Sequence, residues 1–242
     1  MTHVKLSILA FGAHPDDVEL CCSGTLSKHI ALGHPCGIVD LTRGELGTRG
    51  TPEIREQESG EASKILKIQA RENLALADGF FQNDQESQLK VIRMIRKYQP
   101  DIVLANAIID RHSDHGRAAE LVRDAFFLSG LAKIQTLDEA GVPQHPWRPR
   151  NLYHYIQSQF IQPDFIVDIS EFWETKVASY KAYKSQVFDP DSLEPETYIS
   201  KPQFLKLIEA RAIELGHAIG VSYGEGFTVN RVPGLDHLLC LL

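Results

Sequence analysis

The sequence predicts an α/β fold, a mostly parallel sheet with helices on both faces. Three observations predict it. Short apolar runs alternate with stretches of helical periodicity along the chain, as they do in strand–helix–strand units. The length of 242 residues is one at which α/β proteins often form one domain. No internal repeat, low-complexity tract or composition break divides the chain. Together these give one Rossmann-like domain over residues 1–242.

The elements follow in order. Residues 4–11, VKLSILAF, read as a buried strand. From Asp17 to Gly33 the apolar residues Val18, Cys22, Leu26 and Ile30 recur every four positions, which predicts a helix with Gly33 as its stop. CGIVDLT (36–42) is a second strand. The glycine- and charge-rich loop RGELGTRGTPE leads into a helix reaching about Lys67, with Pro52 in a first turn that tolerates it. ENLALA (72–77) reads as a third strand, and 84–98 as a helix with Val91, Met94, Ile95 and Tyr98 on one face. DIVLANA (101–107) is a strand. It passes through the polar loop IIDRHSDHG into a helix ending near Ser129, with Ala118, Leu121, Val122 and Ala125 inward. NLYHYI (151–156) and DFIVDI (164–169) are later strands, and helices are expected around 171–185 and 201–219. The acidic, proline-containing stretch 186–200 reads as loop.

Composition excludes some roles. Hydrophobic residues make up 43% and charged residues 24%, ordinary values for a soluble globular protein. The formal net charge of −7 argues against a nucleic-acid or acidic-membrane partner, because phosphate binding requires a basic face. The cysteines, Cys21, Cys22, Cys36 and Cys240, show no CxxC spacing, and a reducing, cytoplasmic setting is the simplest reading. The apolar stretch from Leu6 to Phe11 and the C-terminal LLCLL are too short to span a membrane.

Two clusters fall at expected strand ends: His14-Pro15-Asp16-Asp17, and His112-Ser113-Asp114-His115. Parallel sheets carry their sites at the carboxyl ends of strands, so both loops can share one edge. That would bring His14, Asp17 and His115 together. Two imidazoles and one carboxylate are a common zinc set with a position left for water. Asp16, His112 and Asp114 would then be supporting or catalytic groups. The plainer alternative is that Asp16 and Asp17, and separately Asp114, are helix caps. Two histidines and a carboxylate also describe non-haem iron oxygenases. The adjacent free carboxylate of Asp16 favours hydrolysis, since attacking water needs a base. A nucleotide- or sugar-binding module is a third reading, but no GxGxxG follows the first strand.

AHPDDVEL (13–20) resembles the AHPDDxE signature of the LmbE-like, PIG-L-type de-N-acetylase superfamily, and RHSDHGRAA (111–119) resembles its second metal motif. DLTRGELGTRGTPEIREQESGEA (40–62) is similar to the segment between them. SYGEGF (222–227) resembles the tail of members that deacetylate N-acetylglucosaminyl-malate in bacillithiol synthesis. One departure is ILKI (65–68), where many members have Leu-Gly. The resemblance implies a zinc enzyme, one ion per chain with iron(II) as the cellular alternative, acting on a small N-acetylglucosaminyl conjugate. It implies His14, Asp17 and His115 as metal ligands and Asp16 as general base on the activated water. It places His112 at the developing oxyanion or leaving amine with Asp114 orienting its ring, and Arg55 against substrate. It also implies a homo-oligomer.

The remaining candidates have plainer readings. Glu19 is a first-turn acid or a support for the site, and Cys22 is a small core residue. Arg43, Glu45 and Arg49 are either solvated loop charges or part of a lid over residues 43–51. His3, His29, His34, His145, His154, His217 and His237 have no ligand spacing. Trp147 and Trp173 are expected to pack.

Overall fold

The computed structural model describes residues 4–237, 239 and 241; His3 lies outside them, as do three positions of the LLCLL segment, Cys240 among them. Seven strands form one sheet in the order β3-β2-β1-β4-β5-β7-β6. β1 (Ile8–Gly12), β2 (Cys36–Thr42), β3 (Ala70–Leu76), β4 (Ile102–Ala105) and β5 (Asn151–Tyr155) run parallel. β7 (Gly224–Val229) pairs antiparallel with both β5 and β6 (Phe165–Asp168).

β1 is buried on both sides. Leu9 and Phe11 enter the core cluster that includes Val91, Ile95, Leu121 and Val122, while Ile8 and Ala10 enter the opposite cluster with Val18, Leu26 and Leu66. Successive side chains point to opposite faces of a strand, so a near-continuous apolar run is what such a strand requires. The first cluster is completed by α4 (Gln85–Tyr98) and α5 (Ser113–Leu128). The second is completed by α1 (Asp17–Cys21), α2 (Ser23–Ala31) and α3 (Pro52–Leu66). α6 (Trp173–Lys181) and α7 (Phe204–Ala218) carry smaller clusters around Tyr180 and Trp173. Trp173 stacks on Tyr223 with centroids 4.5 Å apart, and Trp147 packs against the first cluster, so both tryptophans are packing residues.

Local chemistry sets the boundaries. Thr51 accepts the Ile54 amide at 3.3 Å with Pro52 at the first position of α3, and Asp84 accepts the Ser87 amide at 2.9 Å to start α4. Lys67 ends α3 in the left-handed conformation at φ 59°. Glycine adopts that conformation without steric cost, so the Lys67 side chain is tolerated here rather than required.

Two features differ from the expectation. The helix expected from Asp17 to Gly33 is two helices, broken at Cys22 (φ −143°). The Glu225 carboxylate, from β7, accepts the amides of Gly24 and Thr25 at 3.0 and 2.7 Å and so caps α2 from across the fold. β7 itself is visible in the sequence only as a motif, because its glycines hide a strand pattern. Gly216 and Gly224 let α7 and β7 approach so closely that a Cβ on Gly216 would sit 2.8 Å from backbone atoms of 221–223.

Candidate active site

β1 and β4 are neighbours, yet the chain turns one way from β1 to β2 and the other way from β4 to β5. The loops leaving their carboxyl ends therefore part and open a crevice, the position at which doubly wound sheets place ligands. His14, Asp16 and Asp17 from the first loop and Arg111, His112 and His115 from the second line it, joined by parts of the loops after β2 and β3 and by residues 196–199. The cavity measures about 520 Å³, within the usual range for a small-molecule site.

The first motif is wound into this crevice. Asp16 lies at φ 112°, a left-handed conformation for a non-glycine residue, and its side chain makes no capping bond to α1. Such a conformation costs on the order of 1–3 kcal/mol and must be held by its surroundings. Asp16 is thus not an ordinary helix cap, the plainer alternative; its carboxylate lines the cavity. Asp17 accepts the His14 backbone amide at 3.0 Å through Oδ2. Its Oδ1 stands 3.1 Å from His115 Nε2, and its Oδ2 stands 3.6 Å from His14 Nδ1. The expected trio of His14, Asp17 and His115 is therefore assembled.

His112 joins them. Donor atoms of His14, His112 and His115 all lie within 4.8 Å of one another, and so do those of His14, Asp78 and Asp114. The first set makes His112 a third imidazole within reach of an ion, beyond the ligands that the sequence predicts. The outer contacts are carboxylates: His115 Nδ1 meets Asp110 Oδ2 at 2.6 Å, and His14 Nε2 meets Asp78 Oδ1 at 3.0 Å. Convergent imidazole and carboxylate donors, with the His14 and His115 rings each steadied by an acid, fit a zinc ion.

One expectation is corrected. The Asp114 carboxylate does not orient the His112 ring. It accepts the Gly79 amide at 2.8 Å and Arg117 Nη1 at 2.7 Å, and lies 3.4 Å from His14 Nε2. The contact between the two residues runs the other way: His112 Nδ1 accepts the Asp114 backbone amide at 3.3 Å, so His112 caps α5. The charge state follows. Burial and the neighbouring His14 and His115 lower the His112 pKa below its usual value, more than Asp114 raises it. A neutral ring whose Nδ1 accepts carries its hydrogen on Nε2.

The other titratable groups split apart. Burial raises Asp16 to about 7, with Arg55 opposing and Asp17 assisting. Burial works against the charged forms of the others, but their partners prevail. His14 is held well above its usual value by Asp114, Asp17 and Asp78, and His115 is raised to about 9 by Asp17 and Asp110. Asp17 is held well below the carboxylate range by His115 and His14. A carboxylate near neutrality beside imidazole–carboxylate pairs is a pattern typical of catalytic sites.

Arg55 is buried in the wall, with Nη2 donating to Gln186 Oε1 at 2.5 Å and its Nε without a partner. The loop 43–51 and the segment 186–200 are tied together. Gly50 donates to Glu194 at 2.9 Å, Arg49 to Ser192 at 2.8 Å, and Gln186 to the Arg49 carbonyl at 2.9 Å. Arg43 is half-buried and pairs with Glu53 at 3.1 Å, while Glu45 accepts the Asp78 amide at 2.9 Å. Glu19, an acid in the first turn of α1, is fully buried and pairs with Arg71 at 2.6 Å. His154 is buried and bonded to the Asn106 carbonyl at 2.8 Å.

Asp78, Asp110, Asn106 and Gln157 belong to the site although no sequence motif points to them. Each follows a strand at the same sheet edge as the motifs, and polar residues just beyond β3, β4 and β5 are the signal that marks them.

The family model for PIG-L, GlcNAc-PI de-N-acetylase, matches residues 9–126. The crystal structure of the conserved protein TT1542 from Thermus thermophilus is 36% identical with a TM-score of 0.84, covering 96% of this chain and 98% of that one. This chain belongs to the PIG-L, or LmbE-like, deacetylase family. The PIG-L match spans both His/Asp motifs. A diacetylchitobiose deacetylase of Thermococcus kodakarensis is 28% identical over 96% of this chain and 85% of its own length. The N,N'-diacetylchitobiose deacetylase of Pyrococcus horikoshii, solved with an inhibitor, is 25% identical with a TM-score of 0.78, covering 92% of this chain and 82% of that one.

Proposed function

We propose that the protein is a zinc-dependent N-deacetylase that hydrolyses the acetamide of an N-acetylglucosaminyl conjugate, with N-acetylglucosaminyl-L-malate as the substrate that its sequence motifs favour. The observation that carries the reading is Asp16, a strained, uncapped, buried carboxylate beside the His14–Asp17–His115 donor set. A buried carboxylate that caps no helix and borders convergent ligand atoms is placed to act as a general base for water.

His14, Asp17 and His115 would hold the ion, with His112 beside them. Zinc in such a set polarises a carbonyl and makes water more acidic. The chain's own residues do the rest. Asp16 takes a proton from water as the water oxygen bonds to the acyl carbon. The C–N bond then breaks, and the departing nitrogen takes that proton from Asp16, giving the free amine and acetic acid, which ionises to acetate. A pKa of about 7 suits a group that accepts and returns a proton near neutrality. His112 presents its Nε2 hydrogen to the developing oxyanion or the amine as it leaves. Asp114, through His14, Gly79 and Arg117, braces the ligand side of the cavity. Arg55 is the proposed substrate contact in the opposite wall.

Diacetylchitobiose is the second substrate to consider, because two relatives aligned over most of this chain act on it. Acetate release from both compounds by zinc-loaded protein decides. The reading expects turnover of the malate glycoside in preference to the disaccharide. The reverse preference would reassign the substrate, and no turnover of either would reject the deacetylase.

A further inference from the structure

We propose that the side-chain amide of Gln157 donates a hydrogen bond to the acyl oxygen of the substrate, as a second donor beside His112. The inference rests on the deacetylase reading above.

Gln157 lies two residues beyond the end of β5, on the same sheet edge as both His/Asp motifs. It is 5% exposed, yet it lines the cavity. Its orientation is fixed from behind. Oε1 accepts Asn106 Nδ2 at 3.0 Å and the Ala107 backbone amide at 3.1 Å. An oxygen held by two donors leaves the NH₂ end facing the site. The backbone is held as well, since Arg211 donates to the carbonyls of Gln157 and Ser158.

The NH₂ group has two hydrogens to place. One reaches Asp17 Oδ1 at 3.0 Å. The other faces His115 Nε2, at 3.4 Å. His115 Nδ1 faces Asp110 at 2.6 Å, an arrangement in which Nδ1 carries the hydrogen and Nε2 is the nitrogen with a lone pair to give. A lone pair given to a metal cannot also accept a hydrogen bond. Whether Nε2 faces Asp17 Oδ1, 3.1 Å away, or gives its lone pair to an ion, it offers the second Gln157 hydrogen no acceptor, and the cavity is the space left to it. A buried donor is costly to leave unpaired. The reaction brings one suitable acceptor to this place, an acyl oxygen beside the ligand set. Negative charge grows on that oxygen as the tetrahedral intermediate forms, so the bond strengthens in the transition state and acts on rate. The donor is already positioned and needs no reorganisation.

Gln157→Met removes the hydrogens and keeps the length of the side chain. The expected result in zinc-reconstituted protein is a fall in kcat on the order of 10²–10³-fold, as for loss of one oxyanion donor. Zinc affinity, read by competition with a chromogenic chelator, should be retained, and acetate should bind the zinc-loaded variant more weakly than the wild type. A normal kcat would overturn the assignment. So would a loss of kcat matched by an equal loss of zinc affinity, which would make Gln157 only a prop for Asp17. If Gln157→Met does not fold, the wild type serves: the side-chain amide resonances of Gln157 in ¹⁵N-labelled, zinc-loaded protein should shift on adding acetate, and no shift would overturn the proposal. A wild type that releases no acetate from any N-acetylglucosaminide refutes the deacetylase reading. An active wild type with an unimpaired variant refutes only the role of Gln157.

Discussion

Replacing Asp16 by asparagine should move stability and activity in opposite directions. The Asp16 carboxyl is buried, makes no cap bond, and has its pKa raised from 3.8 to about 7 by burial against the opposing charge of Arg55. At about 1.36 kcal/mol per pH unit that rise corresponds to roughly 4 kcal/mol, an upper bound on what ionising Asp16 costs the folded chain. The folded pKa lies above the unfolded one, so the cost is absent below pH 3.8, grows up to about pH 7, and is complete above it. Asparagine keeps the shape, carries no charge and tolerates positive φ better than most residues. The metal-free variant should therefore be more stable than the wild type at pH 8, by no more than about 4 kcal/mol. The gain is reduced by whatever Arg55 loses, and it should shrink towards pH 5. The zinc-loaded variant should lose the contribution of a general base, about 10²–10⁴-fold in kcat. Urea denaturation at the two pH values and steady-state kinetics give both numbers. A variant less stable at pH 8 would show that Asp16 is a structural anchor, and near-normal kcat would remove it from catalysis.

Other expectations follow from the same geometry. His14 and His115 are held protonated at neutral pH in the metal-free protein, so binding zinc at pH 7 should release more than one proton per ion, measurable in weak buffer with an indicator. Zinc affinity should accordingly fall as pH drops from about 9 towards 6; a flat profile would contradict the ligand assignment. His115→Ala should lose most of the metal, and full occupancy measured by atomic absorption would refute its role. Glu225→Ala should cost roughly 3–5 kcal/mol, because it leaves Lys176 buried without its 2.5 Å partner and uncaps α2, while metal content per folded chain stays unchanged. Arg55→Ala should impair the malate glycoside more than free N-acetylglucosamine, and equal losses would confine Arg55 to shaping the wall.

The sheet and the place of the site are legible in the sequence because they rest on local signals. The apolar runs of β1, β2 and β4 and the polar clusters that follow them are contiguous in sequence, and a parallel sheet delivers their ends to one edge. What stays hidden depends on distant partners. Cys22 interrupts a regular apolar stripe because Glu225, some two hundred positions later, caps the helix that restarts there. Asp114 reads as the partner of His112 by proximity in sequence, but a helix start turns its carboxylate towards His14 and Gly79. Asp78 and Gln157 carry no motif at all, and only their strands bring them to the crevice. Arg55 is buried on α3 because the distant loop at Gly44 and Gly47 folds over it, a contact no local pattern shows.

The most direct test of the central claim is the balance of products. Incubating N-acetylglucosaminyl-L-malate with metal-free and zinc-reconstituted protein, and measuring acetate and primary amine in the same samples, should give the two products in equal amounts, with turnover restored by zinc and abolished in Asp16→Asn. Acetate release that is indifferent to zinc, or that survives the Asp16 substitution undiminished, would contradict the account.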